Sequence, residues 1–159
     1  MQHYDALYNL CNRFFDDDQE IITALNNGML RVFKNIHQFD IAKAELFTWM
    51  YSIVRNEALT VVRNKKTTAI TKELTADISS EISVNPFASS VADDVFIYLG
   101  KLSHTTRATC NLFYLEGYSI KEIAVSLDIK EGTVKWHLSE GRKKLQSIFN
   151  PTIQVVNAG

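Results

Sequence analysis

One segment constrains the fold of this chain more than any other: residues 119–145, which read SIKEIAVSLDIKEGTVKWHLSEGRKKL. Ser119 and Glu122 have the spacing of a capping box, in which each side chain accepts a hydrogen bond from the backbone N–H of the other residue. Four apolar residues then recur at the spacing of one helix face: Ile120, Ile123, Ala124 and Leu127. A turn at 128–130 leads into a second helix from Glu131. The segment therefore predicts a helix-turn-helix, a motif whose second helix enters the major groove of DNA.

The second helix of this motif has an apolar side and a polar side. The residues predicted to face the core are Val134, Leu138, Gly141, Leu145 and Ile148. Those predicted on the opposite side are Gly132, Trp136, Ser139 and Lys143, flanked by Lys135 and Glu140. A Trp that points away from the core leaves a large apolar surface in water. Against DNA, its ring can contact a thymine methyl group while Lys135 and Ser139 reach base edges or phosphates.

A cationic cluster lies near the end of this helix. Arg142, Lys143 and Lys144 are predicted to contact phosphates, which positions a protein on DNA without reading its sequence. The alternative is that the cluster only complements the negative end of the helix dipole. The net charge of the chain is -1, a low value for a protein that holds DNA unaided, because phosphate neutralisation supplies most non-specific affinity. We therefore expect DNA binding to depend on a larger basic partner.

The chain divides into zones of different composition. Residues 1–66 are rich in helix formers and aromatic residues, and residues 92–149 again show amphipathic helices. Between them, residues 67–91 are rich in Ser and Thr, contain Pro86 and lack apolar periodicity, which predicts a flexible linker. Residues 150–159 are left as a tail. The predicted fold class is all-α, with two small helical domains joined by a flexible linker and a helix-turn-helix in the second domain.

Amphipathic patterns place the remaining helices. In the first domain we predict helices around Tyr4–Cys11, over Gln19–Ile36 and over Leu46–Arg63, with His37–Glu45 as a connector. The middle helix is predicted to bury Ile22, Leu25, Met29, Val32 and Phe33. The third is predicted to bury Phe47, Met50, Tyr51, Val54, Ala58 and Val61. In the second domain we predict helices over Ala92–Lys101, with Val95, Phe96 and Leu99 inward, and over Thr105–Glu116, with Ser103 as its cap and Gly117 at its end.

The helix at 46–63 also has a distinctive outward face. Opposite its apolar side lie Trp49, Ser52, Asn56 and Arg63. An outward aromatic residue beside Asn and Arg suggests a nucleic-acid surface, because aromatic rings stack on unpaired bases. The alternative is that Trp49 packs against the preceding helix or the other domain.

No catalytic or metal-binding pattern emerges from the sequence. The four histidines are scattered: His3, His37, His104 and His137. Cys11 and Cys110 lack metal-ligand spacing and are predicted to be small buried residues in a reducing compartment. No apolar run approaches membrane-spanning length, and the N-terminus lacks a signal-peptide pattern. We therefore expect no enzyme activity, cofactor, metal or membrane insertion, and a cytoplasmic location.

The order of these segments resembles a bacterial sigma factor of the extracytoplasmic-function (ECF) group of the sigma-70 family. Region 2 of that family is similar to LNNGMLRVFKNIHQFD (residues 25–40) and LFTWMYSIVRNEALTVVR (residues 46–63). Region 4 is similar to FYLEGYSIKEIAVSLDIKEGTVKWHLSEGRKKL (residues 113–145). The resemblance implies a transcription initiation factor that binds core RNA polymerase and directs it to promoter DNA. It also allows an anti-sigma factor as a regulatory partner, and a nucleoid-associated location.

The resemblance implies a role for each helical segment. The helix at 19–36 would dock onto a coiled coil of the largest polymerase subunit, through Thr23, Asn26, Asn27, Leu30 and Arg31. Residues 39–63 would open the minus-ten element and hold an extruded base; Trp49 and Asn56 stand where the family motif has Trp and Asn, with Ser52 and Arg63 on the same face. The recognition helix at 131–146 would read the minus-thirty-five element through Glu131, Gly132, Thr133, Lys135, Trp136, Ser139, Glu140, Arg142 and Lys143.

Three departures from the family pattern affect these implications. Thr23, Asn26 and Asn27 stand where family members carry an acidic residue and a Gln-Glu or Asn-Asp pair, which weakens the electrostatic part of polymerase docking. Glu140 replaces a common basic residue, so that it would accept a hydrogen bond from cytosine rather than contact phosphate. The helix that usually precedes residues 4–11 is mostly missing, which indicates either a short family member or a truncated start.

Two other functions stay open at this stage. The first is a non-sigma transcription regulator with a helix-turn-helix, which predicts a dimerisation or sensing domain at the N-terminus. The second is a sigma-like adaptor that binds only proteins, motivated by the three polar replacements at 23, 26 and 27. The outward Trp49, Asn56 and Arg63 favour the sigma factor, because they suit a surface that meets an opened DNA strand.

Overall fold

The structure is a computed structural model and describes residues 2–68 and 92–149. These residues form helices, turns and short irregular connections, with no strand among them. The chain divides into two compact units, Met1–Ala69 and Ile70–Gly159, each of which has its own core. The all-α prediction is therefore confirmed. No helix within the described ranges is long and apolar enough to cross a membrane.

Unit 1 contains three helices: α1 (Gln2–Asn12), α2 (Asp18–Asn35) and α3 (Leu46–Thr68). A short 3₁₀ turn, Ile36–Gln38, follows α2 and begins the predicted connector. The side chain of Asp17 caps α2 by accepting a hydrogen bond from the backbone N–H of Gln19 at 2.8 Å. Because α3 continues to Thr68, the first two residues of the predicted linker are helical; the rest of that linker, and the tail at 150–159, lie outside the described residues.

The buried face of α2 differs from the predicted one. It consists of Ile21, Ala24, Leu25, Gly28 and Val32. A Cβ atom added to Gly28 would lie 2.9 Å from Val54 Cγ2, so this glycine permits a close approach between α2 and α3. The small residues therefore turn toward α3. As a result, Ile22 and Phe33, which we predicted to be buried, are exposed, and Met29 is only half-buried.

Helix α3 packs through a face close to the predicted one. Val54 and Ala58 are buried as expected, together with Leu59 and Val62, while Phe47, Met50, Tyr51 and Val61 are half-buried. An acidic residue also belongs to this buried set. Glu57 is only 8% exposed, and its Oε2 atom forms an ion pair with Nε of Arg31 on α2 at 2.7 Å. This pair offsets the cost of burying the carboxylate and links the two helices.

The described part of unit 2, residues 92–149, contains four helices: α4 (Ala92–Leu99), α5 (His104–Cys110), α6 (Ile120–Leu127) and α7 (Glu131–Phe149). A π-helical turn, Asn111–Leu115, extends α5, so the helix predicted at 105–116 changes its hydrogen-bonding register midway. Ser103 lies at the predicted cap position, but its side chain accepts no capping bond from the backbone. Gly117 has a φ of 74°, the left-handed conformation expected of a glycine that ends a helix.

The helix-turn-helix forms as the sequence predicts. Ser119 Oγ accepts from the N–H of Glu122 at 3.1 Å, and Glu122 Oε2 accepts from the N–H of Ser119 at 2.9 Å, which completes the capping box. Asp128, with φ and ψ both 53°, ends α6 in the left-handed region that Asp tolerates better than most residues. The buried residues of the motif are Ile123, Ala124, Leu127, Val134, Leu138, Gly141 and Leu145. The side chain of Ile148 lies outside the described set.

Both cysteines lie in the cores, as predicted. Cys11 is buried in unit 1 and Cys110 in unit 2, and neither forms a disulfide. Burial raises the pKa of each thiol to about 12, so both stay protonated at neutral pH. Cys110 also packs closely against α7, because a Cβ atom added to Gly141 would meet its Sγ at 2.3 Å.

Candidate nucleic-acid interface

The predicted recognition helix presents a polar surface from its first turn onward. Glu131, Gly132, Lys135 and Lys143 are exposed, whereas Thr133, Trp136, Ser139, Glu140 and Arg142 are half-buried. The exposed group supplies both a cationic side chain near the start of α7 and another two turns later. This spacing suits a helix that meets DNA along its length, because cations at both ends can contact backbone phosphates.

Trp136 is not fully outward, which corrects our prediction. Its indole ring meets the imidazole of His137 edge to face, with 5.0 Å between centroids and an angle of 79°. It also lines a groove of about 410 Å³ between α5 and α7, together with Leu102, Ser103, Thr106, Glu140, Lys143, Lys144 and Ser147. A Trp side chain is long enough to fold back onto the neighbouring helix, so only part of the ring remains available to DNA.

The cationic cluster of α7 separates into two groups. Lys143 and Lys144 are exposed, and Lys143 Nζ lies 3.6 Å from Glu140 Oε1. Arg142 is half-buried and points its charge inward: burial raises the pKa of Tyr114, and the nearby guanidinium of Arg142 acts in the opposite direction. The lysines therefore fit a role at phosphates better than Arg142 does, because their charges stay in solvent.

The side chains of the predicted minus-ten residues are buried to different extents. Asn56 is exposed, beside a shallow cleft of about 150 Å³ that also involves Arg31, Asn35, Ile53, Glu57 and Thr60. Ser52 is half-buried, and its hydroxyl donates to the carbonyl of Thr48 at 3.1 Å. Arg63 is half-buried and donates to Thr60 Oγ1 at 3.0 Å. Of the four residues, Asn56 alone is exposed.

Trp49 packs against the connector, which corrects the prediction of an outward ring. It is half-buried, and its centroid lies 5.3 Å from that of Phe39. The next connector residue, Asp40, forms a turn in which its Oδ1 accepts from the N–H of Ala42 at 2.9 Å. This turn leaves Ile41 85% exposed. Trp49 therefore packs on the connector that precedes α3. This outcome is similar to the alternative in which Trp49 packs against the preceding helix.

The predicted docking residues on α2 all lie on its surface. Thr23, Asn26, Asn27, Leu30 and Arg31 are exposed. Two of them are engaged within unit 1: Thr23 Oγ1 donates to the carbonyl of Gln19 at 2.7 Å, and Arg31 pairs with Glu57. Apart from Leu30, the apolar part of this surface was not predicted from the sequence. Ile22, Leu30, Phe33 and Ile36 are large exposed hydrophobic residues at or just beyond α2, and we call them the apolar face of α2.

Several buried polar residues were not predicted from the sequence, and two of them join helices. Glu57 and His137 are each 8% exposed, and each is bonded to a neighbouring helix. Nothing in their local sequence marks them, because the partners are distant in the chain. Among the described residues, no group of three His, Cys, Asp or Glu side chains could hold a metal ion.

Comparison with known proteins shows which class of protein shares these two helical units. The family model for sigma-70 region 2 matches residues 1–68, and the model for sigma-70 region 4 matches residues 98–145. The ECF RNA polymerase sigma factor SigW of Bacillus subtilis is 28% identical over 157 residues, covering 89% of this chain and 82% of SigW. The sigma factor RpoE, solved with the anti-sigma factor NepR from Bartonella quintana, shares the fold with a TM-score of 0.54 at 19% identity, covering 94% of this chain and 92% of RpoE.

Two helical units with these matches, in this order, define a sigma factor, a transcription initiation factor that directs RNA polymerase to promoters. Within that class, the chain belongs to the ECF group of the sigma-70 family. The resemblance inferred from the sequence is confirmed.

Proposed function

We propose that unit 1 binds core RNA polymerase through α2 and opens the minus-ten element through α3 and the connector, while α7 of unit 2 reads the minus-thirty-five element. The observation that carries this proposal is the presence, in one chain, of a region 2 unit with an uncovered apolar face and a region 4 helix-turn-helix. The protein would work as part of the polymerase in the cytoplasm, on the nucleoid, and would perform no chemistry of its own.

Docking onto polymerase would rely on apolar contacts. The four residues of the apolar face of α2 are all exposed, and a partner that covered them would gain roughly 25 cal/mol for each Å² of apolar surface removed from water. Leu30 is the one predicted docking residue that belongs to this face. The absence of the family's acidic residue and of its Gln-Glu or Asn-Asp pair at 23, 26 and 27 would then matter less, which weakens the motive for an adaptor that has lost polymerase binding. We also propose an anti-sigma factor as a competing partner, since the related RpoE structure contains one.

Promoter opening would depend on Asn56 and on the connector. Asn56 is exposed and offers both a donor and an acceptor to an unpaired base. Trp49 would act indirectly, by holding Phe39 and the turn at Asp40 in place. On α7, Lys135, Ser139 and the open part of Trp136 would contact base edges, and Lys143 would contact a phosphate.

Co-purification with core polymerase tests the function directly. From the source cell, the tagged chain should recover core RNA polymerase in near-stoichiometric amounts, and the recovered complex should initiate at specific promoters. The free chain should bind duplex DNA poorly, because its net charge of -1 supplies little phosphate attraction. Tight, sequence-specific binding by the free chain at physiological salt, without polymerase, would instead support the non-sigma regulator.

The recognition helix gives a prediction about promoter preference. Trp136→Ala and Ser139→Ala should change which upstream sequence is preferred, and each lost base contact should reduce discrimination by about 1–3 kcal/mol. Lys143→Ala should weaken binding to all sequences alike, because a phosphate contact carries no sequence information. Selection from a library randomised upstream of the start site measures both effects. Recovery of one unchanged motif by all three variants would show that this face of α7 does not read DNA.

A second prediction concerns strand opening. Asn56→Ala should leave polymerase binding and closed-complex formation nearly intact while lowering the permanganate reactivity of unpaired thymines at a cognate promoter. Trp49→Ala should have a similar effect, because the connector loses its support at Phe39. A template already mismatched across the start site should restore activity to both variants. If the mismatched template gave no rescue, these residues would be needed for folding or polymerase binding instead.

A further inference from the structure

A chain of two hydrogen bonds, of which the one to His137 is buried, joins α5 to the recognition helix. His137, on α7, is 8% exposed, and its Nδ1 atom lies 2.8 Å from Thr106 Oγ1 on α5. Ser103, just before α5, donates from its hydroxyl to Thr106 Oγ1 at 3.1 Å. Thr106 is itself only 5% exposed. Three side chains from two segments thus form one connected network in the α5–α7 interface.

The Thr106 hydroxyl is the centre of this network. It accepts a hydrogen bond from Ser103 and is bonded to Nδ1 of His137, and the imidazole tautomer sets which of these two atoms donates. A polar pair in this interface is stable only when its bond is made, whereas an apolar pair would tolerate several helix placements. The bond between Thr106 and His137 thus selects one placement of α7 against α5.

The network lies directly beside Trp136. The imidazole of His137 and the indole ring meet edge to face, and Leu102, Ser103 and Thr106 line the groove around that ring. Two members of the hydrogen-bond chain therefore line the groove that contains Trp136, and the third contacts its ring. The position of the indole follows from the position of the network.

We propose that His137 is a positioning residue for promoter recognition: its bond to Thr106 fixes α7 against α5, and its ring fixes Trp136. Upstream sequence preference then depends on this buried bond, although neither His137 nor Thr106 needs to touch DNA. The inference rests on the proposed function, in which α7 reads the minus-thirty-five element.

Three substitutions distinguish the effect of the hydrogen bond between Thr106 and His137 from the effect of the packing around it. Thr106→Val keeps the shape of the side chain and removes the hydroxyl. His137→Phe keeps a ring and removes the nitrogen that bonds Thr106. His137→Asn loses the ring but places an amide, which can donate or accept, near the position of Nδ1. The matched control is Thr109→Val: Thr109 is also buried on α5, but its hydroxyl donates to the carbonyl of Thr105 at 2.7 Å, within its own helix.

The measurement is the preference of the complete holoenzyme for its best upstream sequence over single-base variants, alongside urea unfolding of each protein. We expect Thr106→Val and His137→Phe to reduce this preference about tenfold, with the double variant no worse than either single one. His137→Asn should stay within about threefold of the unsubstituted protein, because the bond to Thr106 can re-form. Thr109→Val should leave the preference unchanged.

The outcomes distinguish this inference from the function on which it rests. If the unsubstituted holoenzyme showed no upstream preference, the proposed function of α7 would fail first. If it showed a preference that Trp136→Ala removed but Thr106→Val and His137→Phe retained, the function would stand and the positioning role would be wrong. Loss of preference in proportion to loss of stability, with no recovery in His137→Asn, would likewise overturn the role and leave His137 as a core residue.

Discussion

Gly141→Ala should destabilise unit 2 by about 3 kcal/mol, the upper part of the usual range for overpacking a core. A loss of stability would point to a steric cause, because replacing glycine with alanine inside a helix normally stabilises it by up to about 1 kcal/mol. Here the added methyl group would lie 2.3 Å from Cys110 Sγ and 3.2 Å from Thr106 Cγ2, so α5 and α7 must move apart. Urea unfolding followed by Trp136 fluorescence, in a Trp49→Phe background, measures unit 2 alone.

Two further variants test this explanation. Gly132→Ala makes the same substitution on the same helix at a position where nothing lies within 4 Å, and it should be neutral or slightly stabilising. Cys110→Ala removes the atom that the new methyl group would meet. The double variant of Gly141→Ala and Cys110→Ala should therefore recover more than about 1 kcal/mol relative to the sum of the two single effects. Additive effects would mean that the close contact is not the cause.

The elements that local sequence specifies were predictable. The capping box of Ser119 and Glu122, the left-handed Gly117 and the inward side of α7 depend on residues within a few positions of one another. Backbone capping and helical periodicity are local properties, so the spacing of residue types is enough to place them. The helix-turn-helix and the polar outer side of its second helix follow from these signals.

The buried side of α2 was not predictable in the same way. Apolar residues occupy two adjacent sides of this helix, and periodicity alone does not tell which side meets α3. The close approach at Gly28 and Val54 selects the side that carries Ala24 and Gly28, and larger residues such as Phe33 remain outside. A small residue that allows close helix contact was a better marker of the interface than a large hydrophobic one.

The candidate sites show the same division between local and tertiary information. The backbone positions of Trp49 and Trp136 follow from helical spacing, but each ring folds onto a neighbour, Phe39 in one unit and His137 in the other. Long side chains reach several ångströms from their helix, so the face assigned to the Cα atom does not fix the environment of the ring. Buried Glu57 and His137 were invisible for a related reason, since each depends on a partner about 26 to 31 residues away.

Phe33→Ala should weaken binding to core RNA polymerase by tenfold or more while leaving the stability of unit 1 within about 0.5 kcal/mol. Phe33 is 77% exposed, so it contributes little to the core, but full burial of such a side chain by a partner is worth about 1.5–3 kcal/mol. Leu30→Ala, at 53% exposure on the same face, should act in the same direction. A titration of labelled protein with core polymerase, together with urea unfolding, measures both quantities.

Control variants and the salt dependence of the affinity distinguish apolar from electrostatic docking onto polymerase. Ile97→Ala removes an exposed aliphatic side chain from α4 of unit 2 and should not affect polymerase binding. Asn27→Ala should change the affinity less than about threefold, because a surface polar contact contributes little net free energy. Between about 0.1 M and about 0.5 M salt, affinity should fall only slightly, since apolar contacts are not screened by ions whereas exposed charge pairs are. A steep loss of affinity with salt, combined with a neutral Phe33→Ala, would show that docking is electrostatic and uses a different surface of unit 1.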